Sequence, residues 1–258
     1  MAEQRVDVLI LYEYPLNERV RTLLRLERLA TRLWQLLPRA EAVDHHYALL
    51  TVFEIVDVSS RADLKTDLLK DLERQRATLN AYRGNPQIAE ERLDKVLGEI
   101  EPVFHALNAQ AGKAAQSILE NEWLMSIRSR ASIPGGTCEF DLPSYYAWQN
   151  SSAAQRQQDL QRWVSPLVPL VNAVGLLLKL LRESGTMQKV LAQGGLYQQN
   201  LGNRSFQLMR LRMDPSLGLV PEITGHRLMV SVRFMQPDAE LRLKASGADV
   251  PFEVALCA

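Results

Sequence analysis

Val6-Asp7-Val8-Leu9-Ile10-Leu11-Tyr12-Glu13-Tyr14-Pro15 is the stretch on which the fold turns. Val6, Val8, Ile10 and Tyr12 alternate with Asp7, Leu9, Leu11 and Glu13, a period of two that predicts a β-strand. Both faces of the run are largely apolar, so both are expected to be covered. Pro15 ends it, and Leu16, Val20, Leu23, Ala30, Leu33 and Leu37 then recur at helical spacing. Helix follows helix as far as Glu183. The next alternating stretches are Phe206 to Met213 and Leu228 to Met235, with Phe252, Val254 and Leu256 closing the chain. A strand needs neighbours for its backbone N–H and C=O groups, so the N-terminal run is expected to return to this C-terminal sheet. The predicted fold is α+β: an α-helical domain, residues 15–186, inserted after the first strand of a small, mostly antiparallel β-sheet domain formed by residues 1–14 and 187–258.

Within the helical part the apolar spacing predicts further helices over residues 42–58, 62–82, 88–109 and 113–130. Another should run from a cap at Ser151 or Ser152 through Trp163. Ser165-Pro166 reads as an N-cap with proline at the first helical position, opening a last helix from Leu167 to Glu183. That helix is apolar almost all round, but it is short for a membrane span and is interrupted by Asn172 and Lys179, so a central core helix is expected, stopped by Gly185. The one long break is Ser132-Ile-Pro-Gly-Gly-Thr-Cys-Glu-Phe-Asp-Leu-Pro143. Pro134 ends a helix, Gly135 and Gly136 admit positive φ, and Pro143 fixes the chain again before Tyr145, Tyr146 and Trp148. This segment is expected to hold two packed units at one angle.

The 258 residues are 47% apolar, enough for real cores, and thirty basic residues balance thirty acidic ones. No global field would draw such a chain to nucleic acid or to an anionic membrane, so any charge recognition must be local. The N-terminal residues hold acidic side chains and no long apolar run, which reads as neither signal peptide nor anchor and leaves the cytoplasm as the expected compartment. Cys138 and Cys257 lack the spacing of a zinc site or a disulfide framework and are expected to be free thiols.

Asp44-His45-His46, with Glu41 before it, is the only concentration of metal-ligand types. Adjacent helical histidines point about 100° apart and cannot both reach one ion unaided, so polarity at a helix start is the better reading. His226, in Ile-Thr-Gly-His-Arg, reads as a hydrogen-bonded turn histidine. No phosphate-binding glycine loop, dinucleotide fingerprint or nucleophile elbow is present. No catalytic residue, metal or cofactor is expected, and an enzyme is not expected; a metal-dependent hydrolase at Asp44, His45 and His46 is the alternative of a different class. What remains is arginine. Arg21, Arg25, Arg28 and Arg32 fall on one side of the first helix, and Arg61, Arg227 and Arg233 add guanidinium groups elsewhere. Guanidinium groups suit bidentate capture of carboxylates, so clusters on both domains would make a cleft for an acidic peptide or C-terminus. The same residues can equally be a solvated face or internal ion-pair partners, and a generic acidic-peptide adaptor is the second functional reading.

Several separated motifs add a resemblance. Tyr14-Pro15-Leu16-Asn17-Glu18 before the arginine helix, Thr66-Asp67-Leu68-Leu69-Lys70-Asp71-Leu72, Ser132-Ile133-Pro134-Gly135-Gly136 with Phe140-Asp141-Leu142-Pro143, Gly195-Leu196-Tyr197-Gln198-Gln199-Asn200, and Gly225-His226 with Arg233-Phe234-Met235 occur in order. Together they resemble the bacterial ZapD family of cell division proteins, from about Leu9 to Cys257. The resemblance implies a cytoplasmic, non-enzymatic homodimer that acts at the mid-cell Z-ring. It implies binding to the C-terminal tail of the tubulin-like protein FtsZ, bundling of FtsZ filaments and promotion of Z-ring assembly, with no nucleic acid or membrane partner. By the same resemblance Arg25, Arg61 and Arg233 match the family's partner-binding basic positions and Arg227 is a near match; Arg21 and Arg28 join the candidate set from the helix stripe. Met229, Trp123 and Tyr146 depart from the family pattern, so the contact set is expected to differ in detail.

Overall fold

The computed structural model describes residues 9–60, 63–113, 115–202, 204–226 and 228–258. The chain forms two compact units, Met1–Leu24 with Leu178–Ala258, and Arg25–Leu177. The fold is α+β with two small antiparallel sheets.

The strands are β1 (Ile10–Pro15), β2 (Gln188–Ala192), β3 (Leu196–Asn200), β4 (Leu208–Met213), β5 (Val220–His226), β6 (Met229–Pro237), β7 (Leu243–Ala245) and β8 (Val250–Cys257). One sheet has the order β1-β4-β8-β2; the other has β3-β6-β5, with β7 also on β6. The N-terminal strand does return: β1 lies antiparallel to β4, with Ile10 opposite Met213 and Pro15 opposite Leu208. The core between the sheets joins Met209, Leu211, Phe252 and Val254 to Val230, Val232 and Phe234, with Tyr12 and Tyr14 packed against it. Phe252 sits edge-on to Phe234 and to Tyr197, ring centroids 5.1 and 5.2 Å apart. Each such buried side chain contributes about 1.5–3 kcal/mol from apolar burial.

Two expectations change here. β1 is an edge strand whose Ile10 and Leu11 are each 41% exposed, so its two faces are not both covered; Val6 and Val8 lie outside the described residues. Gly185 is not in the left-handed region. A Cβ there would meet Cys257 Sγ at 2.6 Å and the Leu256 carbonyl oxygen at 2.9 Å, so the residue is needed for close approach of the C-terminal strand. Gly185→Ala is expected to cost about 1–3 kcal/mol of stability, read as a lower urea midpoint.

The helices are α1 (Glu18–Leu36), α2 (Ala42–Ser60), α3 (Leu64–Asn80), α4 (Glu90–Ala109), α5 (Gln116–Leu119), α6 (Glu122–Ala131), α7 (Pro143–Gln149), α8 (Ala153–Val164) and α9 (Val168–Glu183). The single helix expected over 113–130 is two. Asn121 interrupts it, its side chain accepting from Leu124 N as the N-cap of α6. Ser152 caps α8 through Gln155 N, as the sequence suggests. Ser165 does not cap α9: its backbone is helical, and α8 runs through a 3₁₀ turn at Ser165–Leu167 directly into α9. Pro166 has no N–H for the Arg162 carbonyl, and the Ser165 hydroxyl donates to that oxygen instead at 2.9 Å.

The resulting run, Ala153–Glu183, is long and apolar enough to cross a membrane by length and composition alone. In the helical unit its Leu160, Val164, Leu167, Leu170 and Val174 are buried.

Residues 132–142 join α6 to α7 inside one unit and hold no boundary between units. Gly135 takes φ +70°, while Gly136 is there for close approach, since a Cβ would lie 2.6 Å from the Arg130 carbonyl oxygen. Pro143 opens α7, whose turn divides the aromatic run. Tyr145 and Trp148 point inward and join Trp123 and Trp163, with Trp123 and Trp163 centroids 5.0 Å apart, whereas Tyr146 is exposed.

A groove of about 520 Å³ opens between α1, α4 and α9 in the helical unit, lined by Ala30, Trp34, Val103, Val171 and Gly175. A Cβ on Gly175 would meet nothing within 4 Å, so the residue is not required by packing. Gly175→Ala is expected to raise the urea midpoint, by about 0.5–1 kcal/mol of stability.

Candidate functional site

Arg21, Arg25 and Arg28 lie on α1, and Arg233 lies on β6; Arg61 and Arg227 lie outside the described residues. On an α-helix a spacing of four and then three residues returns to the same side, with about 10 Å of rise over the seven residues. The four-arginine stripe nevertheless divides in two. Arg32 is bound to α2, its Nε donating to Thr51 Oγ1 at 2.9 Å and its Nη2 to Glu54 Oε1 at 2.5 Å. Arg21 donates to Glu18 Oε1 at 3.0 Å, one turn away on the same helix. Arg25 and Arg28 are exposed and make no ion pair among the described residues.

Most of the described arginines are engaged by carboxylates: Arg83 by Asp94, Arg128 by Asp57, Arg130 by Asp141 and Arg162 by Asp159 are examples. The exposed ones with no carboxylate in ion-pair range among the described residues are Arg25, Arg28, Arg92, Arg204 and Arg233. Arg233 stands directly opposite Glu222 in the ladder without bonding it. Exposed guanidinium groups without internal partners are the ones able to take up an external carboxylate at little cost in broken contacts.

In the β unit a second basic group escaped the sequence reading. Glu13 on β1 accepts from Arg182 Nε at 2.8 Å and Nη2 at 2.6 Å, and from Arg210 Nε at 3.0 Å. Two guanidinium groups share one carboxylate there, each side chain largely shielded from solvent. The signal was present, since Glu13 and Arg210 fall on the same face of paired strands, but only the register brings them together. Glu13→Ala leaves two neighbouring cations uncompensated and is expected to cost about 1–3 kcal/mol, measured by thermal unfolding.

The Asp44-His45-His46 cluster is not mere polarity at a helix start. His45 is fully buried, on the side of α2 that also carries Ala48, Leu49, Val52 and Ile55. Its Nε2 bonds the Arg39 carbonyl oxygen at 2.7 Å and its Nδ1 accepts from Arg156 Nε at 2.9 Å. His46 turns the other way, with Nδ1 at 2.7 Å from the Tyr145 hydroxyl. Burial pushes both imidazoles below 6.5 and pushes the Tyr145 phenol up. Among the described residues no group of three or more His, Cys, Asp or Glu side chains could hold a metal ion. His226 is a turn histidine as expected, its Nδ1 accepting from Leu228 N at 3.3 Å. Cys138 and Cys257 are free, Cys257 buried and its thiol shifted up by that burial.

Fold and surface together define a two-unit α+β protein whose uncommitted chemistry is guanidinium on exposed helix and strand faces. Residues 24–233 match the family described as ZapD, cell division protein. The chain is 56% identical over 250 residues to the cell division protein ZapD of Ralstonia pickettii (strain 12J), covering 96% of this chain and 99% of that one. It is 55% identical, with the same coverage, to the cell division protein ZapD of Cupriavidus pinatubonensis (strain JMP 134 / LMG 1197). The chain belongs to the ZapD family of cell division proteins.

Proposed function

We propose that this chain acts at the division site in the cytoplasm by binding the C-terminal tail of FtsZ and crosslinking FtsZ filaments as a homodimer, without catalysing a reaction. The observation that carries the reading is the pair Arg25 and Arg28, exposed one turn apart on α1 with no carboxylate among the described residues engaging either, in a chain of zero formal net charge. Arg233 has the same character on β6, and Arg21 offers a guanidinium held only by an exposed neighbour on its own helix. Arg61 and Arg227 belong to the proposed set by resemblance. Carboxylates on a flexible tail would exchange water for bidentate guanidinium bonds. A two-fold dimer supplies two such sites, and the many tails along a filament raise the avidity of a weak individual contact.

The reading is tested by fluorescence anisotropy with a labelled FtsZ C-terminal tail peptide. Saturable binding that weakens as salt is raised from about 0.1 M to about 1 M, where the screening length falls from about 10 Å to about 3 Å, is expected. Binding that is indifferent to salt would place recognition in an apolar groove. Sedimentation velocity of the protein alone reads the dimer.

A further inference from the structure

Both ring nitrogens of His45 are committed, and the partners fix the tautomer. A carbonyl oxygen can only accept, so Nε2 carries the hydrogen toward Arg39 O; Arg156 Nε can only donate, so Nδ1 is bare. The only place for a second proton is Nδ1, against the N–H of a guanidinium. Arg156 is itself 6% exposed and has no carboxylate partner among the described residues. Three further bonds from it go to carbonyl oxygens, Ala40 at 2.6 Å, Gln149 at 3.0 Å, and Ser151. Gln157, the next residue of α8, donates to the Pro38 and Arg39 carbonyls at 3.0 and 2.9 Å. The start of α8 thereby ties down two links at once, residues 37–41 between α1 and α2 and residues 150–152 after α7.

The other charged and titratable groups around His45 are engaged elsewhere or turned away from Nδ1. Asp44, on its own helix, is drawn to the Arg39 guanidinium at 3.3 Å. Asp159, one turn beyond Arg156 on α8, accepts from Trp148 Nε1 at 3.1 Å and from Arg162 at 2.8 Å. Glu41 in the link is exposed, and His46 is turned toward Tyr145 of α7.

We propose that His45 and Arg156 form a proton-sensitive latch that holds both links on the start of α8 at neutral pH and releases them when His45 takes up a proton. The proton adds to Nδ1, the bond from Arg156 Nε is lost, and two cations are left facing each other. Burial is the chief reason the ring resists protonation; the Arg39 carbonyl and the Asp44 carboxylate favour the charged ring, and the Arg156 charge opposes it, the net direction being down. With the folded value below 6.5, the contribution to stability is complete above about pH 6.5 and is lost as pH falls from there through the folded value.

Hydrogen–deuterium exchange of the whole chain at pH 7.5 and 5.5, corrected for intrinsic rates, tests this in peptides spanning 37–46 and 149–157. Protection there is expected to fall at the lower pH by up to about tenfold, the limit set by an open-state imidazole that titrates near 6.5 being read one pH unit below that value. His46→Phe should keep the response. His45→Gln, whose amide can accept from Arg156 and donate to Arg39 but does not titrate, should remove it. A response that persists in His45→Gln, or vanishes in His46→Phe, would overturn the latch. Should His45→Gln fail to fold, ring-nitrogen NMR of the wild type decides: a neutral Nε2–H tautomer at pH 7 with a midpoint below 6.5 supports the latch, and an imidazolium at pH 7 contradicts it.

Discussion

Replacing Arg25 and Arg28 together by glutamate is expected to weaken binding of the FtsZ tail by about 10- to 100-fold while leaving the fold in place. Neither side chain has a carboxylate partner to lose among the described residues, so the folded state gives up little, within about 1 kcal/mol for exposed charges. Binding loses more than two attractive contacts, because each glutamate also repels an incoming carboxylate, and like charges brought together at an interface cost several kcal/mol. Arg32→Glu separates the two properties from the other side. That residue bridges α1 to Thr51 and Glu54, so its reversal should lower stability more than binding. Circular dichroism and tail-peptide anisotropy on the same preparations make the comparison.

Arg156→Ala is expected to have the largest effect on stability of any single change discussed, a loss of about 3–5 kcal/mol. The substitution removes four donor contacts, unbinds the carbonyls of Ala40, Gln149 and Ser151, takes the donor from His45 Nδ1 and leaves a cavity beside His45. Against a typical domain stability of about 5–15 kcal/mol this approaches unfolding of the helical unit. Arg156→Lys should rescue little, since a single ammonium cannot present the planar fork that spans four acceptors. The measurement is urea unfolding followed by fluorescence, for which the Trp123, Trp148 and Trp163 cluster is a local reporter. A midpoint near that of the wild type would mean that solvent replaces the latch contacts without loss.

The return of β1 to the C-terminal sheet was legible because period-two alternation identifies a strand even when its partner is far away in sequence. β2, β3, β5 and β7 were not. Gln188-Lys189-Val190-Leu191-Ala192 and Leu196-Tyr197-Gln198-Gln199-Asn200 carry too few apolar residues to show a face, and β5 contains Pro221 and Gly225. They are strands because neighbouring strands of the same chain, β8 and β6, pair with their backbones, which is a tertiary fact. The break at Asn121 was readable in principle, as an asparagine three residues before Leu124, but the apolar spacing on either side masked it. Pro166 misled for a physical reason: proline signals a helix start only where its missing N–H has no carbonyl to serve, and Ser165 removes that constraint.

Of the candidate site, residue type and helical spacing were readable, and ion-pair competition was not. Arg28 and Arg32 are equivalent in the sequence pattern; Glu54 on the next helix separates them. His45 and Arg156 could have been found, since His45 sits three and four residues before buried Ala48 and Leu49, and Arg156 four residues before buried Leu160, each on its own helix. What the sequence could not supply was that they meet.

Co-sedimentation with polymerised FtsZ tests the central claim most directly, using filaments of full-length FtsZ and filaments lacking the C-terminal tail. The proposed function predicts that this protein pellets with the intact polymer, bundles it, and stays in the supernatant with the tail-less one. Equal pelleting with both polymers, or with neither, would contradict it.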